Sequence, residues 1–250
     1  MEPDDKPCSE RRTVDQRWHL SLLGDWMLSD GWGERVPTTP AIQRLTTLLA
    51  LRGPRSRAHV AGLLWPDASE QKAHGSLRST LWRVRRSHPG LITATGTTVQ
   101  LDKCVTIDAH ELSEAAQAIL RGAGAPPEAL ALLSRAELLP GWYDDWILVH
   151  REQIRQLQMH ALERLAESLF DAQCYAQALH AALTAVELAP LRESTHRRVA
   201  RIHLAIGDID SAIRQFTWCR RLMDAEFGLP PTEHFVAMMR PVMRTGALNN

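Results

Sequence analysis

The residues best suited to chemistry lie between Gln71 and Arg86, in the stretch QKAHGSLRSTLWRVRR. Lysine and arginine offer cationic donors to phosphate oxygens, and short serine hydroxyls let a helix approach base edges. Placed on a helix at about 100° per residue, Lys72, Gly75, Ser79, Trp82, Arg83 and Arg86 share one face. To these the candidate interface adds His74, Ser76 and Arg78. Ala73, Leu77, Leu81 and Val84 form an apolar stripe on the opposite side. One side can be buried against a small domain while the other meets nucleic acid, which is the pattern of a recognition helix. A surface helix with a solvated arginine face fits the same spacing, so the neighbouring elements must decide.

Those neighbours supply the positioning. Pro40 opens AIQRLTTLLALRG, whose Ile42, Leu45, Leu48 and Leu49 recur at helical spacing until Gly53-Pro54 ends the run. Ser56 is a good N-cap for RAHVAGLLW, a short helix burying Val60, Leu63, Leu64 and Trp65 and stopped by Pro66. Asp67 to Glu70 turns into the basic helix. After His88-Pro89-Gly90, Leu91 to Thr95 and Val99 to Leu101 flank Gly96, as in a β-hairpin. That hairpin offers Thr95, Thr97, Thr98 and Lys103 to the DNA backbone or minor groove. Upstream, WHLSLLGDWMLSDG from Trp18 reads as two short strands and a turn, with Glu34 to Pro37 a candidate third. Strands, three helices and a hairpin make the order of a winged helix with an N-terminal sheet, the basic helix taking the recognition position.

Charge agrees with that order. The chain of 250 residues has zero formal net charge, but between Ala41 and Gly90 nine basic residues face only Asp67 and Glu70. This local excess of seven points to a nucleic-acid face in one part of the molecule. Cys8, Cys104, Cys174 and Cys219 are far apart and read as reduced thiols of a cytosolic protein. The charged N-terminus, residues 1–17, lacks an apolar run and is expected to be a disordered arm rather than a signal or membrane anchor.

Beyond Asp108 the composition turns to Ala, Leu, Glu and Gln at helical spacing, so residues 109–240 are expected to form an all-α domain with a tail at 241–250. A helix starts near Ala109, the loop Gly122 to Pro127 follows, and a second helix covers Glu128 to Glu137. Tyr175, Ala178 and Leu179 recur 34 residues later as Ile209, Ala212 and Ile213, with Gln173 opposite Gly207 and Ala185 opposite Cys219. That is the tetratricopeptide period, in which small residues let paired helices approach. Pro190 is read as ending the earlier repeat's second helix. Such repeats present surfaces to protein partners.

Leu63-Leu64-Trp65 with LRSTLWRVRR looks like the OmpR-type winged helix at the front of bacterial antibiotic-pathway activators, the SARP family. LLPGWYDDWILVHREQIRQLQMHALERLAE, APLRESTHRRVARIHLAIGD and CRRLMDAEFGLPP are similar to the activation domain of the same family. The resemblance covers nearly all of residues 18–240. It implies a mainly α protein with small β elements: an OmpR-type winged helix-turn-helix domain at 18–108, then an all-α TPR-like activation domain. It also implies a transcriptional activator that recruits RNA polymerase holoenzyme, binds direct repeats as a homodimer on DNA, and controls an antibiotic or secondary-metabolite cluster. No GxxxxGK[ST] loop follows these segments, so the nucleotide-binding extension of larger members is not expected.

Within the basic helix, Arg83 and Arg86 are the expected contacts, whereas Arg78 and Arg85 could lie along apolar surface or pair with Asp67 or Glu70. Trp82 lies outside the stripe, and packing is its commoner role. Asp144 and Asp145 in PGWYDDW read as caps of the helix at Trp146. Eleven histidines form no HExxH or other ligand spacing, so neither metal nor cofactor is expected. No GxGxxG, GxSxG or catalytic triad is present, leaving an enzyme without candidate residues. A scaffold binding only proteins through its repeats is the rival reading.

Overall fold

The computed structural model describes residues 18–123 and 128–246. The expected arm at 1–17 with Cys8, residues 124–127 of the second-domain loop and residues 247–250 of the tail lie outside the described residues. The chain divides into two compact units, one up to His110 together with Glu137–His150, the other Glu111–Ala136 together with the residues from Arg151 onward.

The first unit opens with β1 (Trp18–Ser21) and β2 (Met27–Ser29), antiparallel as the alternation of WHLSLLGDWMLS requires. The third strand of that sheet is not Glu34 to Pro37, which contributes only the single bridge Arg35 to Ser29. It is β6 (Val105–Ile107), which runs parallel to β1 with Trp18 opposite Val105. Pro37 has no N–H to donate, so the upstream segment cannot extend a ladder. Helix α1 (Pro40–Arg52) starts with proline in its first turn and ends at Gly53, whose φ of 68° is in the left-handed region. β3 (Arg55–Ser56) leads into α2 (Arg57–Leu64), where the Ser56 hydroxyl caps by accepting from His59 N at 3.3 Å. Helix α3 (Glu70–Ser87) carries the basic face. β4 (Ile92–Thr95) and β5 (Thr98–Leu101) form the hairpin, and β3 adds to it in the order β3-β5-β4.

One side chain closes this unit. Asp108 is 2% exposed, and its carboxylate accepts from Leu22 N at 2.8 Å, Leu23 N at 3.1 Å and Ala109 N at 2.7 Å. It satisfies the first turn of α4 (Asp108–Leu120) and the end of β1 together. Leu138 and Leu139 belong to the same unit: Leu138 bridges Leu23, and Leu139 N donates to Leu22 O at 2.9 Å. The expected helix at Glu128 to Glu137 is shorter for this reason. α5 covers only Ala129–Leu133, closed by the Ser134 hydroxyl on Leu130 O, and the chain then extends toward the Leu23 bridge.

The second unit takes in most of α6 (Asp145–Asp171), then α7 (Tyr175–Leu188), α8 (Glu193–Ala205), α9 (Ile209–Phe227) and α10 (Glu233–Gly246). From α7 onward each helix packs on the next. The 34-residue repeat coincides with helix starts, since Tyr175 and Ile209 are the first residues of α7 and α9. Ala178 and Ala212 are both fully buried, as are Ala185 and Cys219. Burial pushes the Cys219 thiol up to about 11, so it packs as an apolar group. Pro190 lies just beyond the end of α7, where a proline stops a helix. α10 continues past residue 240, through Pro241 to Gly246.

The repeat also aligns two strained turns. Gln173 and Gly207 both have positive φ, 59° and 79°, each one residue ahead of the N-cap of matching helices. A glutamine there meets the Cβ clash that glycine escapes. Gln173→Gly should therefore leave the helices unchanged and stabilise the chain by up to about 1 kcal/mol, read as a higher urea midpoint. An equal or lower midpoint would mean that the Gln173 side chain supplies more than its backbone costs.

Candidate nucleic-acid interface

Helix α3 is held by one face. Ala73, Leu77, Thr80 and Val84 are buried, and Leu81 is only partly so. The buried stripe is thus turned slightly from the Ala73, Leu77, Leu81, Val84 set. Thr80 enters the core because its hydroxyl donates to Ser76 O, four residues back, at 2.9 Å. The C-terminus of α3 is anchored by His88, whose N–H donates to Val84 O at 2.7 Å. Its buried ring lies 5.7 Å from the Trp18 ring, and burial keeps its pKa below the ordinary value. Trp18 Nε1 donates to Pro89 O at 3.0 Å, so β1 grips the end of the helix.

The opposite face is open. Lys72, Arg78, Ser79, Trp82, Arg83 and Arg86 are exposed, and His74, Gly75 and Ser76 are half-buried. Among the described residues Arg78 and Arg85 do not pair with Asp67 or Glu70. Both are exposed, and Glu70 pairs instead with His74 at 3.9 Å. Among the described residues no carboxylate lies within ion-pair distance of Arg78, Arg83, Arg85 or Arg86. Trp82 does not pack in the core. It is 60% exposed, with the Arg86 guanidinium 5.4 Å from its ring centroid. That stacking sets one cationic fork against an exposed aromatic ring.

The hairpin places its threonines at a tip. Thr95 and Thr98 pair across the turn Gly96-Thr97, and Gly96 has φ 58° at the first central position, where a tight turn favours glycine. Thr95 and Thr97 are exposed, and Thr98 is half-buried. Arg57 N donates to Thr97 O at 2.8 Å, tying the start of α2 to that tip. Lys103 is exposed on the turn before β6. Together α3 and the hairpin offer hydrogen-bond donors and cations, a chemistry suited to phosphate oxygens.

Some structural side chains had no local sequence signal. Asp144 spends its carboxylate on Arg44, 2.6 Å away, and caps α6 only through its backbone, as acceptor for Ile147 N. His196 is fully buried in the second unit. Its Nε2–H donates to Pro190 O at 2.7 Å, and Nδ1 accepts from Gln215 Nε2 at 2.7 Å. Burial lowers its pKa, and it serves as a neutral bracket between α8 and α9. In the ridge after Pro190, Arg197 pairs with Glu193 at 2.8 Å, four residues apart. Among the described residues no helix is long and apolar enough to cross a membrane.

A profile of the bacterial transcriptional activator domain matches residues 107–243. No curated protein matches the chain. Among solved structures it is similar to Mycobacterium tuberculosis EmbR in complex with a low-affinity phosphopeptide, at 17% sequence identity and a TM-score of 0.69. The match covers 92% of this chain and 66% of that one, so the chain spans just under two thirds of EmbR's length. At that identity the likeness is one of fold: a winged helix followed by an α-helical domain.

Proposed function

For a chain that belongs to the bacterial transcriptional activator domain family, we propose a cytoplasmic activator that binds double-stranded promoter DNA sequence-specifically and recruits RNA polymerase. Helix α3 enters the major groove, with Ser76 and Ser79 near base edges and Arg83 and Arg86 on phosphate or guanine. The hairpin threonines Thr95, Thr97 and Thr98 lie along the adjacent backbone. The helical repeats support contacts with polymerase and with a second copy on tandem sites. In keeping with the SARP resemblance, the target is an antibiotic or secondary-metabolite cluster. The observation that carries this reading is the exposed face of α3, where four arginines stand without a carboxylate partner among the described residues. Charge left uncompensated by the protein itself suits a phosphate backbone.

Binding to random duplex DNA across a salt series tests it. The logarithm of the affinity should fall steeply with that of the salt concentration, by about one unit of slope per phosphate contact. Arg83→Ala with Arg86→Ala should weaken binding and flatten that slope by roughly two units while leaving the melting curve unchanged. A scaffold that binds only proteins would show little affinity at any salt, and wild-type affinity in the folded double variant would remove α3 from the groove.

A further inference from the structure

We infer that the first unit carries both halves of a self-recognition contact: the turn at Trp32 of one copy enters a cavity beside Trp146 of another. This rests on the reading above only in that tandem DNA sites would bring two copies together.

The Trp32 turn is built to stay open. Asp30 Oδ1 accepts from Trp32 N and Glu34 N at 3.0 Å each, Asp30 O accepts from Gly33 N at 3.0 Å, and Asp30 N donates to Glu34 O at 3.1 Å. These bonds close the turn on itself and leave Trp32 78% exposed. A large indole held in water by a preorganised turn has already met the ordering cost that binding would otherwise impose.

The cavity has about 560 Å³ of space, ample for one indole. Its apolar wall is Leu63, Pro66, Trp146 and Val149. Above the Trp146 ring, 6.0 Å from its centroid, stands the Arg52 guanidinium, which has no carboxylate partner among the described residues. Trp146 is buried, and among the described residues its Nε1–H has no acceptor. At the mouth, Asp144 is neutralised by Arg44, and Asp145 is exposed.

The occupant follows from charge complementarity. Glu34 and Arg35 follow Trp32 by two and three residues, and both are exposed. An indole on Trp146 would bring Glu34 toward Arg52 and Arg35 toward Asp145, so both signs match. The same chain supplies donor and acceptor, and the turn's hydrogen bonds leave its own tryptophan outside. A second copy of this chain is therefore the occupant. A head-to-tail contact of this kind needs only one donor and one cavity per pair.

Sedimentation of the full-length chain at rising concentration tests it, alone and on random duplexes long enough for two copies. Trp32→Ala and Val149→Glu both alter exposed positions, and each should weaken association by about tenfold or more, the scale of a buried aromatic anchor. An equimolar mixture of the two should recover association, since the Val149→Glu copy still offers Trp32 and the Trp32→Ala copy an intact cavity. Three results would overturn the contact: no association of the wild type in either setting, association of Trp32→Ala like wild type, or no recovery in the mixture. Weak DNA binding by single copies of the wild type would instead count against the DNA reading, and leaves the association measured without DNA to judge the contact.

Discussion

Asp108→Ala should lower the stability of the full chain by about 3 kcal/mol or more, because it strips acceptors from buried N–H groups. Three N–H groups, on Leu22, Leu23 and Ala109, depend on that carboxylate within 3.1 Å. Alanine leaves no oxygen in their place and admits no water, since the site is 2% exposed. Asp108→Asn keeps one acceptor oxygen and should cost less than the alanine. The consequence reaches the basic helix through β1, whose Trp18 Nε1 donates to Pro89 O and whose ring stacks near His88 at the end of α3. A denaturant melt followed by tryptophan fluorescence checks the ordering wild type, asparagine, alanine. Equal midpoints for all three would show that the end of β1 is closed by the Leu138 and Leu139 contacts instead.

The sequence showed what local chemistry records. Ser56, Gly53 and Pro66 punctuate the helices where a capping hydroxyl, a left-handed glycine or a missing N–H dictates it. The winged-helix order and the basic face of α3 were legible for the same reason, because hydrophobic period and charge are written residue by residue. The parallel pairing of Trp18 with Val105 was not, since strands distant in the chain leave no mark of their register. Nor was Thr80 in place of full burial at Leu81, which depends on an internal hydrogen bond that periodicity does not see. The exposure of Arg78 and Arg85, without carboxylate partners among the described residues, and the pairing of Asp144 with Arg44 depend on which other elements come near. The domain boundary expected at Asp108 marks a change of composition. The compact units follow packing instead, and place Glu137–His150 with the first. Trp82 shows the limit most clearly, because packing is the commoner role of a tryptophan and only the fold reveals it in solvent.

Ala212→Leu should destabilise the second unit by roughly 1 to 3 kcal/mol, the usual cost of overpacking. Ala212 is fully buried in a cluster with Ala200, Phe216, Cys219, Phe235 and Met239. Phe216 and Phe235 meet edge to face there, with ring centroids 4.9 Å apart, and α8 and α9 approach each other on small side chains. Three added carbons find no void and must push Ala200 or the phenylalanine pair off their positions. Ala178, the counterpart one repeat earlier, is equally buried, so Ala178→Leu should cost a similar amount. Helix pairs that pack mainly on their neighbours lose stability locally. The damage should therefore concentrate in α8, α9 and α10, while the winged helix keeps its fold. Duplex binding and transcript yield with purified polymerase, measured on one preparation, separate the two units. Binding by single copies should persist while activation falls, because under the proposed function the helical repeats make the polymerase contacts. Unchanged activation together with a lowered melting midpoint would move those contacts out of the α8–α10 cluster, toward α4 to α6 or the winged helix itself.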